Sequence, residues 1–567
     1  MPQSGSTPRA RRMRCAKVVL AVALTCLLAA CSGTTARQSS GNSETVPVAR
    51  DGGSIVVGAE QEPDCADWIA TCAGSIWGTY VMQVTTIPRA FDTRLVDGTW
   101  KPVPSDLLAG EPTVIVDDDA QTITYRINPK AVWSDGVPIT SADFAYTATQ
   151  IRDGDDIFDK SGYDQIVSVQ TPDPRTAVVT LKTPYARWRT LFSEAGVLPS
   201  HLLAGKDRAA IMRDGYDFSG GPWKIQSWDR GTSATLVPND KYWGEKPHLD
   251  KVTFLFLPDT AAAFQALKGG QVDVLYPSPQ LDAINQIKAG LHGISSAVDP
   301  RSGNLEAVWL NNAARPFTSV AVRRALAYSL DRQAIVKRMF GGLGIDSVQQ
   351  SFNTPIVGAF AGDAFSRYHR DLAEVDRLMT ADGWRKNEGG IWEKNGEPAA
   401  FTMVSLSGNK RRDLTAQGIQ SQVREAGFDM AIKTVTAADL FSTIAPQGDF
   451  QAGLWALVDT FPDPTLSASF SSTSIPSESN GFSGINFFHI DSPEIDTLLG
   501  QVDTSVDQRA RIAASMRADD VIAQQVYSIP LDVVPNVLLW DRKVGGPLSI
   551  NPVLGPFWNL AAWGLAG

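Results

Sequence analysis

Hydrophobic and polar positions alternate along this chain in two rhythms. Ser54-Ile55-Val56-Val57-Gly58-Ala59 is a short continuous apolar run, the pattern of a strand covered on both faces. Thr113-Val114-Ile115-Val116 and Thr122-Ile123-Thr124-Tyr125-Arg126-Ile127 flank an Asp-rich turn at 117–120 and predict a hairpin. Trp223 to Trp228 alternates with period two, turns at Asp229-Arg230-Gly231 and returns through Thr235-Leu236-Val237. Val252–Leu257, a helix through Ala263 and Leu267 that stops at Gly269-Gly270, and Val272–Leu275 give a strand, helix, strand unit.

Helical spacing dominates elsewhere. Thr140 followed by Asp143 predicts an N-cap, with Phe144 and Thr147 continuing the helix. Val322, Ala325, Leu326 and Leu330 share one helical face, and Asp331 caps the next helix. Thr415 to Ala426 reads as an amphipathic helix leading into the strand Met430–Val435. No fixed-period repeat runs through the chain, so the fold class is α/β with several lobes, not a solenoid or propeller.

The N-terminus departs from this pattern. Arg9, Arg11, Arg12, Arg14 and Lys17 precede an uncharged apolar run from Val18 to Ala30, the n-region and h-region of a signal peptide over residues 1–30. At 13 residues that run is shorter than the roughly 20 needed to cross a bilayer as a helix. Leu28-Ala29-Ala30-Cys31 resembles the lipobox of bacterial lipoproteins, which implies a diacylated Cys31 as the mature first residue. The alternative is an ordinary secretory signal cut after an alanine. Two acyl chains anchor stably where one is marginal, and residues 31–52, rich in Ser, Thr, Gly and Asn, read as a flexible tether.

Composition narrows the partners. The 567 residues are 43% hydrophobic and 20% charged, ordinary for a globular chain, with a formal net charge of −10. Removing residues 1–30 takes five of the 51 basic residues and none of the 61 acidic ones, leaving −15. Such a surface offers no general attraction to a phosphate backbone, so nucleic acid is not expected as a partner. Cys15 and Cys26 leave with the signal and Cys31 is the lipid site. Cys65 and Cys72 remain, seven apart, for a disulfide in an oxidising compartment. A metal pair is the alternative, without further Cys or clustered His to support it.

Catalytic constellations are missing from the sequence. There is no Gly-x-x-x-x-Gly-Lys-Ser/Thr, no Gly-x-Ser-x-Gly and no His-Glu-x-x-His, and Gly481-Phe482-Ser483-Gly484-Ile485 only approximates the second. His201, His248, His292, His369 and His489 are scattered, without metal-ligand spacing. No enzyme, cofactor or metal is expected. The 15 tryptophans suit either core packing or apolar subsites in an enclosed groove.

Ordered segments then carry a resemblance. Trp133-Ser134-Asp135-Gly136-Val137-Pro138-Ile139-Thr140-Ser141-Ala142-Asp143 and Gly221-Pro222-Trp223-Lys224 are followed by Pro238-Asn239-Asp240-Lys241-Tyr242-Trp243-Gly244 and Pro247-His248-Leu249-Asp250-Lys251. Ala266 to Asp273, Val322-Arg323-Arg324-Ala325-Leu326, Leu330-Asp331-Arg332, Asp491 to Leu499 and Ile529-Pro530-Leu531 continue the series. Together they resemble the family 5 extracellular solute-binding proteins of ABC importers, the oligopeptide, dipeptide and nickel binders, over roughly residues 53 to 567.

The resemblance implies a two-lobed periplasmic-binding-protein fold of class II type, with an extra domain, around a central ligand cleft. Residues 53–97, 191–302 and 540–567 would form lobe I, 98–190 its extra domain, and 303–539 lobe II. It implies a monomeric receptor, lipid-anchored on the extracytoplasmic face of the cell membrane, that captures peptides or peptide-like solutes by hinge closure and delivers them to a membrane permease. In Trp455-Ala456-Leu457-Val458-Asp459, Asp459 matches the carboxylate with which peptide-binding relatives hold an α-ammonium, just after Trp455. Asp459 stands one residue further from Pro464 than in those relatives. Arg411 and Arg412 lie where relatives neutralise a ligand carboxylate, and the Cys65–Cys72 loop would rigidify a cleft-lining stretch holding Trp68 and leading to Trp77. A second reading keeps the fold and drops transport, making the chain an envelope lipoprotein that binds a lipid or glycan intermediate and regulates a partner.

Overall fold

The computed structural model describes residues 48–567 except 74, 118, 119, 437, 438, 460–462, 465 and 483, and the side chains of 282 and 442. The signal segment 1–30, Cys31 and most of the tether lie outside the described residues.

Two sheets organise the molecule. The first has seven strands in the order 294–299, 536–541, 274–275, 54–59, 251–256, 233–238, 223–229. Its central strand, Ser54–Ala59, runs parallel to Lys251–Phe256 on one side and to Val274–Leu275 on the other. The continuous apolar run is explained by that position, since Ile55, Val57 and Ala59 are fully buried. Helix Thr260–Lys268 connects the two flanking strands, started by Asp259 Oδ1 accepting from the Ala262 N–H at 2.8 Å.

The second sheet has five strands in the order 429–435, 400–406, 452–458, 304–310, 528–533. Ala400–Leu406 runs parallel to both of its neighbours. Each sheet has its own large hydrophobic core, one built around Trp133, Trp223, Phe254 and Trp563 and the other around Trp309, Phe317, Trp455 and Phe488.

A four-stranded antiparallel sheet, 113–117, 120–126, 176–181 and 166–173, adds to the first core rather than making a separate one. Helix Ser141–Asp153 lies against it, and the expected Thr140 cap is a full capping box with Asp143. Asp143 also accepts from the Ser200 N–H and Oγ–H, both at 2.7 Å, which ties this layer to the segment entering the first lobe.

Two local readings change. Ala49–Arg50 pairs antiparallel with Leu565–Ala566, so the folded body begins inside the stretch read as tether. The helix expected from Thr415 starts at Lys410, because the Asn409 side chain caps it by accepting from the Arg412 N–H at 3.0 Å.

Candidate functional site

The chain passes between the two sheets after Asp299 and before Asn536, and the crossing is pinned by polar contacts. Ser302 Oγ donates to the Val534 carbonyl at 2.7 Å, Asn536 Nδ2 to the Arg301 carbonyl at 3.1 Å, and Tyr276 Oη to Asn536 Oδ1 at 2.5 Å. Ligands of open α/β sheets sit beyond the carboxyl ends of parallel strands. In the second sheet one such end is Asp459, directly after strand Ala452–Val458; in the first it is Glu60, directly after Ser54–Ala59.

Asp459 is half-buried at the crossing. Its N–H donates to the Gly303 carbonyl at 2.9 Å, and its Oδ2 accepts from Thr354 Oγ1 at 3.0 Å. Gly303 must be glycine for this approach, since a Cβ there would stand 2.1 Å from the Asp459 carbonyl oxygen. Asp459 borders a small pocket of about 20 Å³, room for roughly one water, lined by Leu305, Trp309, Phe352, Leu457, Leu466, Ser469 and Phe470. One acid beside an aromatic lining offers a counter-charge to a cationic group and flat apolar surface next to it.

Glu60, on the other lobe, accepts from the Ser278 N–H at 2.7 Å and Oγ–H at 2.8 Å. Burial pushes its carboxyl pKa up, and the two Ser278 hydrogen bonds oppose that. The sequence reading missed Glu60 and the pocket aromatics Trp309, Phe352 and Phe470. Glu60 was within reach of it, because an acid directly after a buried parallel strand is at the expected ligand edge.

The structure separates the other expected site residues from this pocket. Trp455 points into the second core, fully buried, 6.2 Å from Trp309 centroid to centroid, with Phe441 and Phe450 against it. Its carbonyl, not its ring, serves the pocket wall by accepting from Trp309 Nε1 at 2.8 Å. Trp455, Leu457 and Asp459 share one strand face; Trp455, deeper in the strand, packs into the core, and only Leu457 and Asp459 at the strand end reach the pocket.

Arg411 and Arg412 have an internal partner. Arg411 Nη2 donates to Glu306 Oε2 at 2.6 Å and Arg412 Nε to Glu306 Oε1 at 2.8 Å, with the Glu306 side chain fully buried. Burial alone would raise the Glu306 pKa, but the two guanidinium groups hold it down to about 2. Behind them Asp532 is pushed up to about 7 by burial, against the pull of Arg411. Both guanidinium groups expected for a ligand carboxylate are thus engaged by Glu306 within the lobe.

Cys65 and Cys72 are bonded to each other. Their loop packs within the first core and its added layer rather than at the Asp459 pocket: Thr71 N–H donates to the Asp156 carbonyl at 2.7 Å and Ala66 N–H to the Arg213 carbonyl at 3.1 Å. Buried Asp67 pairs with Arg208, which also binds Asp156 at 2.6 Å. Trp68 Nε1 donates to the Ala195 carbonyl at 2.5 Å with its ring edge-on to Tyr216. Trp77 is buried among Tyr80, Tyr276 and Phe557. Among the described residues no group of three or more His, Cys, Asp or Glu is placed to hold a metal, and no helix is long and apolar enough to cross a membrane.

Among the described residues the lobes also touch away from the crossing. Ile284 of helix Leu281–Ala289 packs on Val336, Met339 and Phe340, Val553 packs on Ile356, Val357 and Phe360, and Ala186 N–H donates to the Asp503 carbonyl at 2.7 Å. Two lobes joined by crossing strands, with the Asp459 pocket formed by the second lobe beside the crossing, define a solute-binding receptor fold. The chain belongs to the bacterial extracellular solute-binding proteins, family 5, whose middle-region model matches residues 104–477.

Among its relatives is the oligopeptide-binding protein OppA of Mycobacterium tuberculosis, 29% identical over 79% of this chain and 72% of that protein. Among solved structures, the periplasmic EDTA-binding protein EppA superposes with a TM-score of 0.82 at 25% identity, over 92% of this chain and 98% of that one. The oligopeptide-binding protein AppA of Bacillus subtilis, solved with a nonapeptide, gives 0.79 at 20% identity over 92% and 100%, a likeness of fold.

Proposed function

We propose that this chain is the substrate-binding receptor of an ABC importer, that its ligands are peptides or peptide-like solutes, and that Cys31 carries a lipid anchor on the extracytoplasmic face. The observation that carries this reading is Asp459: a carboxylate at the end of a parallel strand, beside the interlobe crossing, on the rim of an apolar pocket. A peptide presents an α-ammonium and side chains, which the acid and the pocket match. The reaction is capture and not catalysis. A ligand that touches both lobes binds the closed form better than the open one, and closure follows from that difference in affinity. The closed form is what the permease engages.

Glu60 is the first-lobe counterpart in this reading. OppA and AppA, named for oligopeptide binding, support the peptide assignment. Native mass spectrometry of the purified chain, followed by titration with a randomised nonapeptide pool, tests it. Peptides are expected to co-purify, and Asp459→Asn to weaken binding by about 30-fold or more, the loss of about 2 kcal/mol that removing one partner of a buried charge pair brings. Recovery of lipid or glycan, with no peptide bound or competing, would overturn the assignment.

A further inference from the structure

The contact between Ala186 and Asp503 lies next to a group of charges that the peptide pocket does not use. Residues 185–194 belong to the first lobe, anchored by Tyr185, Trp188, Leu191 and Phe192 in its core. Across the interface, Asp503 is in the last turn of helix Pro493–Thr504, and Asp463 stands four residues beyond Asp459. Asp463 Oδ1 accepts from Arg511 Nη2 at 2.6 Å, and Arg511 Nε donates to the Val502 carbonyl at 2.7 Å. Between the lobes sits Arg187, 8% exposed, its Nε without a hydrogen-bond partner.

We propose that Arg187 is a positioning residue for ligand capture: carried in by the first lobe on closure, it supplies the second cation to the Asp463–Asp503–Arg511 cluster and so fixes Asp463, four residues from Asp459 in the chain. This rests on the hinge-closure reading above. Asp463 and Asp503 together carry two negative charges and the second lobe offers them one guanidinium, Arg511. Burial opposes the Arg187 charge, while the Tyr185 hydroxyl and Glu194 of its own lobe and Asp463 and Asp503 of the other favour it. Burial pushes the Asp503 carboxyl up, and Ser467, Arg187 and Arg511 oppose that. When the lobes part, Arg187 and the Ala186 N–H leave with the first lobe, and the excess negative charge remains beside the Asp459 segment. Ligand contact at Asp459 and arrival of Arg187 at Asp463 therefore act four residues apart in the sequence, and in this proposal they reinforce each other.

Hydrogen exchange on the ligand-free full chain, with melting temperature as the check on folding, tests this without any ligand. Arg187→Ala is expected to raise exchange tenfold or more at Ala186 and in peptides covering 463–470 and 499–505, while strands 54–59 and 251–256 stay protected. Arg187→Lys is expected to restore most of that protection, because a charge and not a shape is required. With the nonapeptide pool, Arg187→Ala should weaken binding five- to twentyfold through faster dissociation, and should add little to Asp463→Asn. Unchanged exchange at 463–470 in a folded Arg187→Ala variant, or full additivity with Asp463→Asn, overturns the proposal. Should Arg187→Ala fail to fold, the same segments are read in Arg187→Lys and Asp463→Asn, where unchanged protection in Asp463→Asn is the overturning result. If the pool does not bind the unaltered chain, the peptide reading fails while the exchange data still decide the role of Arg187.

Discussion

Glu306 is fully buried, and two guanidinium groups from a single helix turn share its charge. A buried pair that loses one member leaves an uncompensated charge, at a cost of about 3–5 kcal/mol. Glu306→Gln leaves two arginines in that position, so its urea midpoint is expected to fall by that equivalent; an unchanged midpoint would show that water already screens the group. Other buried acids, of which only Asp532 is close to Glu306, give a pH signature of the opposite kind. Burial raises Asp532 to about 7, and Asp67 and Asp519 to about 6, from an ordinary value of 3.8. Between about pH 4 and 7 these groups hold protons in the folded state that the unfolded chain has released, so their contribution to stability falls as pH rises through that window. Glu306 works the other way, its contribution present above 4.5 and lost as pH falls toward 2. Urea melts at pH 5 and 7 are expected to show a smaller difference in Asp532→Asn than in the unaltered chain, shifted in the direction that relatively favours pH 7. The two arginines were visible in the sequence but Glu306 was not, because the partner lies 105 residues from Arg411 and nothing local announces it.

Strands and helices were legible wherever local chemistry decides them. Ser54–Ala59 is an apolar run bounded by turn residues, and Thr140 with Asp143 is a cap that needs only four residues to read. Elements fixed by distant pairing were not: Ala49–Arg50 becomes a strand only because Leu565–Ala566 lies beside it. Period two shows that Trp455 and Leu457 share one strand face and Ala456 the other, but not where a strand end turns from core to cleft; the stacking of Trp309, Phe488 and Trp455 settles that. The cysteine pair was readable by spacing, while its surroundings were not. A loop of sequence separation seven gains about 2–3 kcal/mol from the cross-link in the chain-entropy estimate. Replacing Cys65 and Cys72 by Ser is therefore expected to lower the melting temperature by several degrees and to leave nonapeptide affinity within about twofold, since the loop does not line the Asp459 pocket. A large loss of affinity with little loss of stability would place the loop at the ligand instead.

Two lobes with separate cores move as units only if the surface between them is weaker than the cores themselves, and the interlobe contacts fit that requirement. The contact between helices Leu281–Ala289 and Arg332–Phe340 is a small cluster apart from both main cores, with Ile284 buried to 1% exposure at its centre. Burying one such side chain contributes about 1.5–3 kcal/mol, enough to shift a two-state equilibrium tenfold or more. Under the capture reading proposed above, Ile284 would supply part of closure without ligand and a ligand only the remainder. Ile284→Asp places a charge in that contact. The expected result by small-angle scattering is a larger radius of gyration in the ligand-free chain, a return toward the closed value at saturating nonapeptide, and weaker apparent affinity, with the unfolding midpoint nearly unchanged. An unfolding midpoint that drops while the radius stays the same would mean that Ile284 belongs to the stability of its own lobe, and that closure is held by the crossing strands and the polar contacts alone.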